Sequence, residues 1–216
     1  MKINNKIIIA GFPGIGKSCS ANVLKNISMD CDSSGWHWIS KNDNNGNTEK
    51  IINPIWPENY IDFIKMIAFE SDGLEDYKDL KYICCSTHEE VLSYMRRHHI
   101  PFIIVVPEDK QDTIKRYKER GNSEEFISKL DENWDNWMDN FKSYDMPIIK
   151  LKAGVYLSDI LSKRGSFRYL MDKIKNVEKY ILSTEEDPYD DPLAVIVNGL
   201  CDHMDKKDKE KENKNA

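Results

Sequence analysis

Residues 6–18 read Lys6-Ile7-Ile8-Ile9-Ala10-Gly11-Phe12-Pro13-Gly14-Ile15-Gly16-Lys17-Ser18. The first five are apolar beyond Lys6 and largely β-branched, as a short strand buried on both faces requires. The next eight fit G-x-x-x-x-G-K-[ST]. From Lys17 to about Asn26, Ala21 and Leu24 recur at helical spacing. A strand, a glycine-rich turn and a helix start, in that order, make a cradle for phosphate. Glycines at 11, 14 and 16 let main-chain N–H groups turn inward, and the helix N-terminus adds free donors and a positive dipole end. Lys17 brings a point charge to the β- and γ-phosphates, and Ser18 a hydroxyl for Mg²⁺. The expected ligand is MgATP. Its expected contacts are Gly11, Pro13, Gly14 and Ile15, followed by Gly16, Lys17, Ser18 and Cys19.

Outward from this loop the pattern alternates. Ile27–Cys31 reads as a second short strand and Leu80–Ser86 as a third. Pro101–Val106 and Pro147–Leu151 follow as the fourth and fifth. Between them lie helical stretches over Pro57–Glu70, about Thr87–His99 (with Thr87 and Glu90 as a capping box), Asp109–Arg120, Ser123–Tyr144 and Tyr156–Lys163. Residues 41–48, KNDNNGNT, read as a loop. Alternation of this kind predicts an α/β three-layer sandwich on a five-stranded parallel sheet. The expected division is a core domain at 1–164, a helical C-terminal extension at 165–204, and a charged, disordered tail at 205–216. In the extension, Phe167–Leu182 reads as a helix, Thr184–Asp191 as an acidic loop, and Leu193–Met204 as a short apolar helix.

GFPGIGKS resembles the G-x-P-G-x-G-K loop of nucleoside monophosphate kinases such as adenylate kinase. Strand layout and size are similar to the P-loop NTPase core of that superfamily. Arg116-Tyr117-Lys118-Glu119-Arg120-Gly121 resembles the lid of these kinases, whose arginines close over the phosphates. Its implied catalytic residues are Arg116 and Arg120 beside Lys17, and at i, i+4 the two guanidinium groups share a helix face. Asp30-Cys31-Asp32-Ser33-Ser34 is similar to the Asp-x-Asp of shikimate-kinase-type small-molecule kinases. That likeness implies Asp30 as a metal-side acid and Asp32 as the acceptor-side acid or base. An ordinary turn rich in Asp and Ser reads the same segment equally well. The stretch from Lys6 to Leu161 also resembles nucleotide-kinase-like P-loop proteins of phages and Gram-positive bacteria. The likeness lies in Asp-x-Asp-Ser-Ser with Trp36 close behind, Trp56-Pro57-Glu58-Asn59-Tyr60-Ile61, Glu132–Trp137 and Tyr156–Leu161.

The sequence departs from the monophosphate kinases in one informative way. Between Cys31 and Tyr82 there is no Arg to grip an acceptor phosphate. The third strand also ends Cys84-Cys85-Ser86-Thr87-His88, without the usual acidic residue; Ser86 or His88 is left as a phosphate contact. Asp32, Trp36, Trp38 and Tyr60 are the candidate acceptor-binding residues. Aromatics there either stack on a base or belong to the core.

The leading expectation is therefore an ATP-dependent kinase, a phosphotransferase acting on a nucleoside or (deoxy)nucleoside monophosphate. The alternatives are a nucleotide-binding switch, suggested by Asp32-Ser33-Ser34-Gly35 and Ser128-Lys129-Leu130-Asp131, a small-molecule kinase of the shikimate-kinase type, and an inactive scaffold. A net charge of -6 argues against nucleic acid as partner. No stretch approaches the ~20 apolar residues of a membrane span. An odd count of five Cys without zinc-ligand spacing reads as reduced thiols in the cytoplasm. A homodimer is compatible with all of this.

Overall fold

The computed structural model describes residues 6–42, 48–71 and 74–183. Contacts divide the chain into Met1–Lys179 and Tyr180–Ala216. Of the second unit only 180–183 are described, and they are helical. The expected acidic loop, apolar helix and charged tail beyond residue 183 lie outside the described residues.

Five parallel strands form the sheet: β1 (Ile7–Gly11), β2 (Ser28–Asp30), β5 (Tyr82–Cys85), β6 (Ile103–Pro107) and β7 (Ile148–Leu151), in the order β2-β5-β1-β6-β7. All residues of β1, β5 and β6 are buried, so helices must cover both faces. Those helices are α1 (Lys17–Leu24), α3 (Glu58–Lys65), α4 (Glu89–Arg97), α5 (Lys110–Glu119), α6 (Glu124–Lys142) and α7 (Leu157–Leu161). The arrangement is the expected α/β sandwich, compatible with a P-loop-like three-layer fold. From β1 the chain moves to one side of the sheet for β2 and β5, and to the other for β6 and β7. Such a reversal opens a crevice outside the carboxyl ends of the strands, and here the loop after β1 stands in it.

The helix starts follow local chemistry. Asp109 accepts a bond from Asp112 N at 2.9 Å and Ser123 one from Phe126 N at 3.3 Å, satisfying orphan N–H groups of α5 and α6. The capping box expected at Thr87 and Glu90 does not form. His88 takes the cap position of α4, and no side chain closes it. On α6, Ile127, Leu130, Trp134 and Phe141 recur at helical spacing and are buried.

Of the stretch read as a loop at 41–48, residues 43–47 lie outside the described residues, while Lys41, Asn42 and Thr48 belong to strands. Trp38–Asn42 (β3) and Thr48–Ile52 (β4) pair antiparallel as a separate two-stranded sheet, entered through a short helix α2 (Ser34–His37). The helix expected from Pro57 to Glu70 is regular through Lys65 and continues to Glu70 as a π-helical turn. The last helix, α8 (Ser166–Ser183), begins against the core: Leu170 and Ile174 are buried, and Phe167 meets the Tyr82 ring at 5.9 Å. Among the described residues no helix is long and apolar enough to cross a membrane.

Candidate functional site

β1 ends at Gly11, and Phe12 N donates to Val105 O at 2.9 Å, tying the outgoing loop to β6. The chain then turns through two left-handed glycines, Gly14 at φ 84° and Gly16 at φ 91°. Side chains at these positions would be strained and crowded. A β-carbon on Gly14 would lie 3.2 Å from the Tyr117 ring, and one on Gly16 3.2 Å from Tyr156. Gly16 is also the N-cap of α1, so the loop delivers the free N–H groups of that helix directly to the crevice.

The Lys17 ammonium folds back over the loop and donates to Gly11 O at 2.8 Å. Burial lowers its pKa, and the Asp30 carboxylate opposes the shift in part. Ser18 Oγ donates to Asp30 Oδ2 at 2.6 Å, across from the start of α1 to the end of β2. The other carboxylate oxygen, Asp30 Oδ1, is buried without a hydrogen-bond partner. Asp32 is engaged differently. Its Oδ1 accepts from Ser34 N at 3.1 Å and from Ser34 Oγ at 2.9 Å, which fixes the turn into α2.

These groups border a cleft of about 660 Å³ at the carboxyl ends of β1, β2 and β5. It falls in the size range of small-molecule sites. Of the expected cradle, Pro13, Gly14, Gly16, Lys17, Ser18 and Cys19 line it. Gly11 and Ile15 do not. Gly11 contributes the carbonyl that holds Lys17, and Ile15 is buried with its carbonyl accepting from Leu157 N at 2.9 Å. Asp30 and Asp32 both line the cleft, as do Ser86 and His88 beyond β5.

Arg116 and Arg120 reach the same cleft from α5, one turn apart. Arg116 is held firmly: it pairs with Asp112 at 2.5 Å, donates to Val155 O at 3.3 Å and lies 4.1 Å from the Tyr156 ring centroid. Arg120, at the C-terminal cap of α5, is exposed.

The expected acceptor aromatics do not join this cleft. Tyr60 is fully buried; its hydroxyl donates to Cys31 O at 2.5 Å and accepts from Ser86 N at 3.2 Å. Its role is therefore to rivet the ends of β2 and β5, correcting the expectation of a ligand contact. Trp36 stacks on Phe63 at 4.9 Å. Trp38 begins a stack in which His37 lies between it (4.5 Å) and Trp56 (4.6 Å), with Tyr60 next at 5.4 Å. His88 stands edge-on to His37 and Trp56 and touches Ser86 Oγ at 2.9 Å. Ser128–Asp131, part of the switch-like pattern, lies inside α6 and not at the cleft.

Two residues at the site were not among the expected site residues, although both stand in segments with a family likeness: Tyr117, against Gly14, and Tyr156, against Gly16 and Arg116. The described residues contain no group of three or more His, Cys, Asp or Glu able to enclose a metal ion. A cation at Ser18 and Asp30 would take its remaining positions from phosphate and water, as Mg²⁺ commonly does. No protein-family model and no curated protein matches this sequence.

Proposed function

We propose that this chain is an ATP-dependent phosphotransferase with a nucleoside or nucleoside monophosphate as acceptor, built on a P-loop kinase core. The observation that carries the reading is the Ser18–Asp30 contact of 2.6 Å next to Lys17, with Asp30 Oδ1 buried and unpaired. An unpaired buried carboxylate oxygen is costly unless a cation or donor completes it. Ser18 and Asp30 fit Mg²⁺ by donor type: both supply oxygen, the ligand this hard cation prefers. Bound there, Mg²⁺ supplies charge neutralisation for the phosphate oxygens.

The chain's own residues account for the rest. The N–H groups from Gly14 to Ser18 bind phosphate oxygens and orient the chain of phosphates along the start of α1. Lys17 exchanges its carbonyl partner for phosphate. Arg116, already fixed by Asp112 and Tyr156, holds positive charge at the cleft wall without reorganising. Arg120, being exposed, is free to move toward the γ-phosphate as a lid residue. Asp32 stands at the cleft with its turn already ordered, placed to take or orient the acceptor's proton.

The test is incubation of the purified protein with MgATP labelled in the γ-phosphate and a panel of nucleosides and deoxynucleoside monophosphates. Transfer of label to at least one member is expected. Binding of ATP with no transfer to any member would leave a nucleotide-binding protein and remove the transferase reading.

A further inference from the structure

The charges of the cleft are sorted by the sheet beneath it. In the order β2-β5-β1-β6-β7 the phosphate loop leaves the middle strand, so β2 and β5 end on one side of it and β6 and β7 on the other. Both arginines belong to the second side. Arg116 and Arg120 stand on α5, which follows β6, and Arg116 is tied to Val155 O and the Tyr156 ring beyond β7. Lys17 opens α1 at the end of the loop itself. The first side presents Asp30 at the end of β2, Asp32, Ser33 and Ser34 just after it, and Ser86 and His88 after β5. Among the described residues lining the cleft, no lysine or arginine comes from this side. His88 adds no cation at neutral pH, because burial and then the neighbouring His37 lower its pKa from 6.5.

The two sides suit different groups. A triphosphate takes up Lys17, Arg116 and Arg120 together, and Arg116 is already paired with Asp112 at 2.5 Å. A second phosphate, entering along the ends of β2 and β5, would meet the Asp32 carboxylate with neither an ammonium nor a guanidinium fork beside it. Like charges brought together in a cleft repel, and partners are commonly excluded in this way. Hydroxyl groups meet the reverse. Asp32 is exposed, and the two bonds it accepts from Ser34 both fall on Oδ1, which leaves Oδ2 to accept from a ligand. The Ser34 and Ser86 hydroxyls each keep lone pairs for further donors.

We propose that the acceptor brings no phosphate of its own: the β2–β5 side of the cleft receives the sugar hydroxyls of an uncharged nucleoside, and the Asp32 carboxylate turns away the corresponding monophosphate. This rests on the phosphotransferase reading and narrows its acceptor from nucleoside or monophosphate to nucleoside. In the transfer, a bond forms between the acceptor oxygen and the γ-phosphorus. The bond from the γ-phosphorus to the bridging oxygen breaks, its electron pair leaves with ADP, and the acceptor's proton passes to Asp32.

The experiment is calorimetric titration of the full chain, saturated with Mg²⁺ and a non-hydrolysable ATP analogue, by thymidine, deoxycytidine, deoxyguanosine, deoxyadenosine and their 5′-monophosphates. At least one nucleoside is expected to bind about tenfold more tightly than its own monophosphate, or better. Asp32→Asn keeps an oxygen for the two Ser34 donors and removes the charge. It should bring the ratio to within about threefold, chiefly by tightening the monophosphate. Added salt should narrow the wild-type ratio in the same direction. An Asp32 that only shapes the turn would weaken both ligands alike in the variant and leave the ratio where it was, which would overturn the assignment. Equal or tighter binding of the monophosphates to the wild type, or no nucleoside binding beside intact analogue binding, would overturn it as well. Failure of the wild type to bind the analogue strikes instead at the phosphotransferase reading.

Discussion

Lys17→Met separates the ammonium from the rest of the lysine. Methionine keeps most of the apolar stem, which packs beside Gly11, and removes only the charge and its donors. In the ligand-free protein the variant loses a charged bond to Gly11 O at 2.8 Å and a longer one to Phe12 O at 3.5 Å. Such a bond contributes about 1.5–3 kcal/mol. The loss is offset by release from the burial that lowers the Lys17 pKa. Stability should then change by no more than about 1 kcal/mol. With triphosphate bound the balance differs. An ammonium about 4 Å from one unit of phosphate charge gains about 4 kcal/mol at an effective dielectric near 20. Subtracting the carbonyl bond given up leaves about 1–2.5 kcal/mol, or roughly 5- to 70-fold in Kd. Calorimetric titration with MgATP, paired with thermal melts of the same samples, measures both quantities. A titration curve within threefold of wild type would refute the idea that this ammonium neutralises a polyphosphate. The lowered pKa adds a pH signature. Between the folded pKa and 10.5 the unfolded state binds the extra proton, so wild-type stability should rise with pH there relative to the methionine variant.

Other perturbations follow from the same geometry. Gly16→Ala places a β-carbon 3.2 Å from Tyr156 at φ 91°; denaturant melts should show a loss of about 1–3 kcal/mol, and triphosphate affinity should fall with it. Tyr60→Phe strips a partner from both Cys31 O and Ser86 N; the expected loss is about 2–3 kcal/mol of stability by chemical denaturation, with a much smaller effect on nucleotide affinity. His88 has its pKa lowered from 6.5, chiefly by burial and then by His37. The unfolded state therefore binds more protons below about pH 6.5, and Tm should drop as pH falls from there to the folded pKa. His88→Asn should flatten that part of the Tm–pH profile, and an unchanged slope would remove His88 as its cause.

The sheet was legible because its strands are short apolar runs closed by turns, and because α3, α4 and α6 carry a 3.6-residue apolar period. Gly11–Ser18 was legible because glycine, lysine and serine at fixed spacing have few other uses. The β3–β4 hairpin was missed because its side chains are nearly all exposed. Without a buried face, the alternation that announces a strand is weak. The Thr87 cap failed for a different reason. His88 is drawn toward His37, Trp56 and Ser86, and that tertiary pull moves the helix start by one residue. No periodicity in one segment reports a contact with another.

Tyr60 makes the same point about roles. The sequence made it a candidate acceptor contact, yet it is fully buried and its hydroxyl bonds to Cys31 O and Ser86 N. The bonds to Cys31 O and Ser86 N join the two strand ends that present Asp30 and Asp32 on one side and Ser86 and His88 on the other. A phenol is well suited to this. The ring fills core volume beside Trp56, and the hydroxyl alone satisfies one carbonyl and one N–H that would otherwise be buried unpaired. The cleft's polar edge is thus fixed from beneath by a residue that never touches it. Asp30 can then meet Ser18 at 2.6 Å without either side chain having to search for the other. Position in the sequence located the residue, but only the direction of its hydroxyl decided between binding a ligand and holding the frame that binds one.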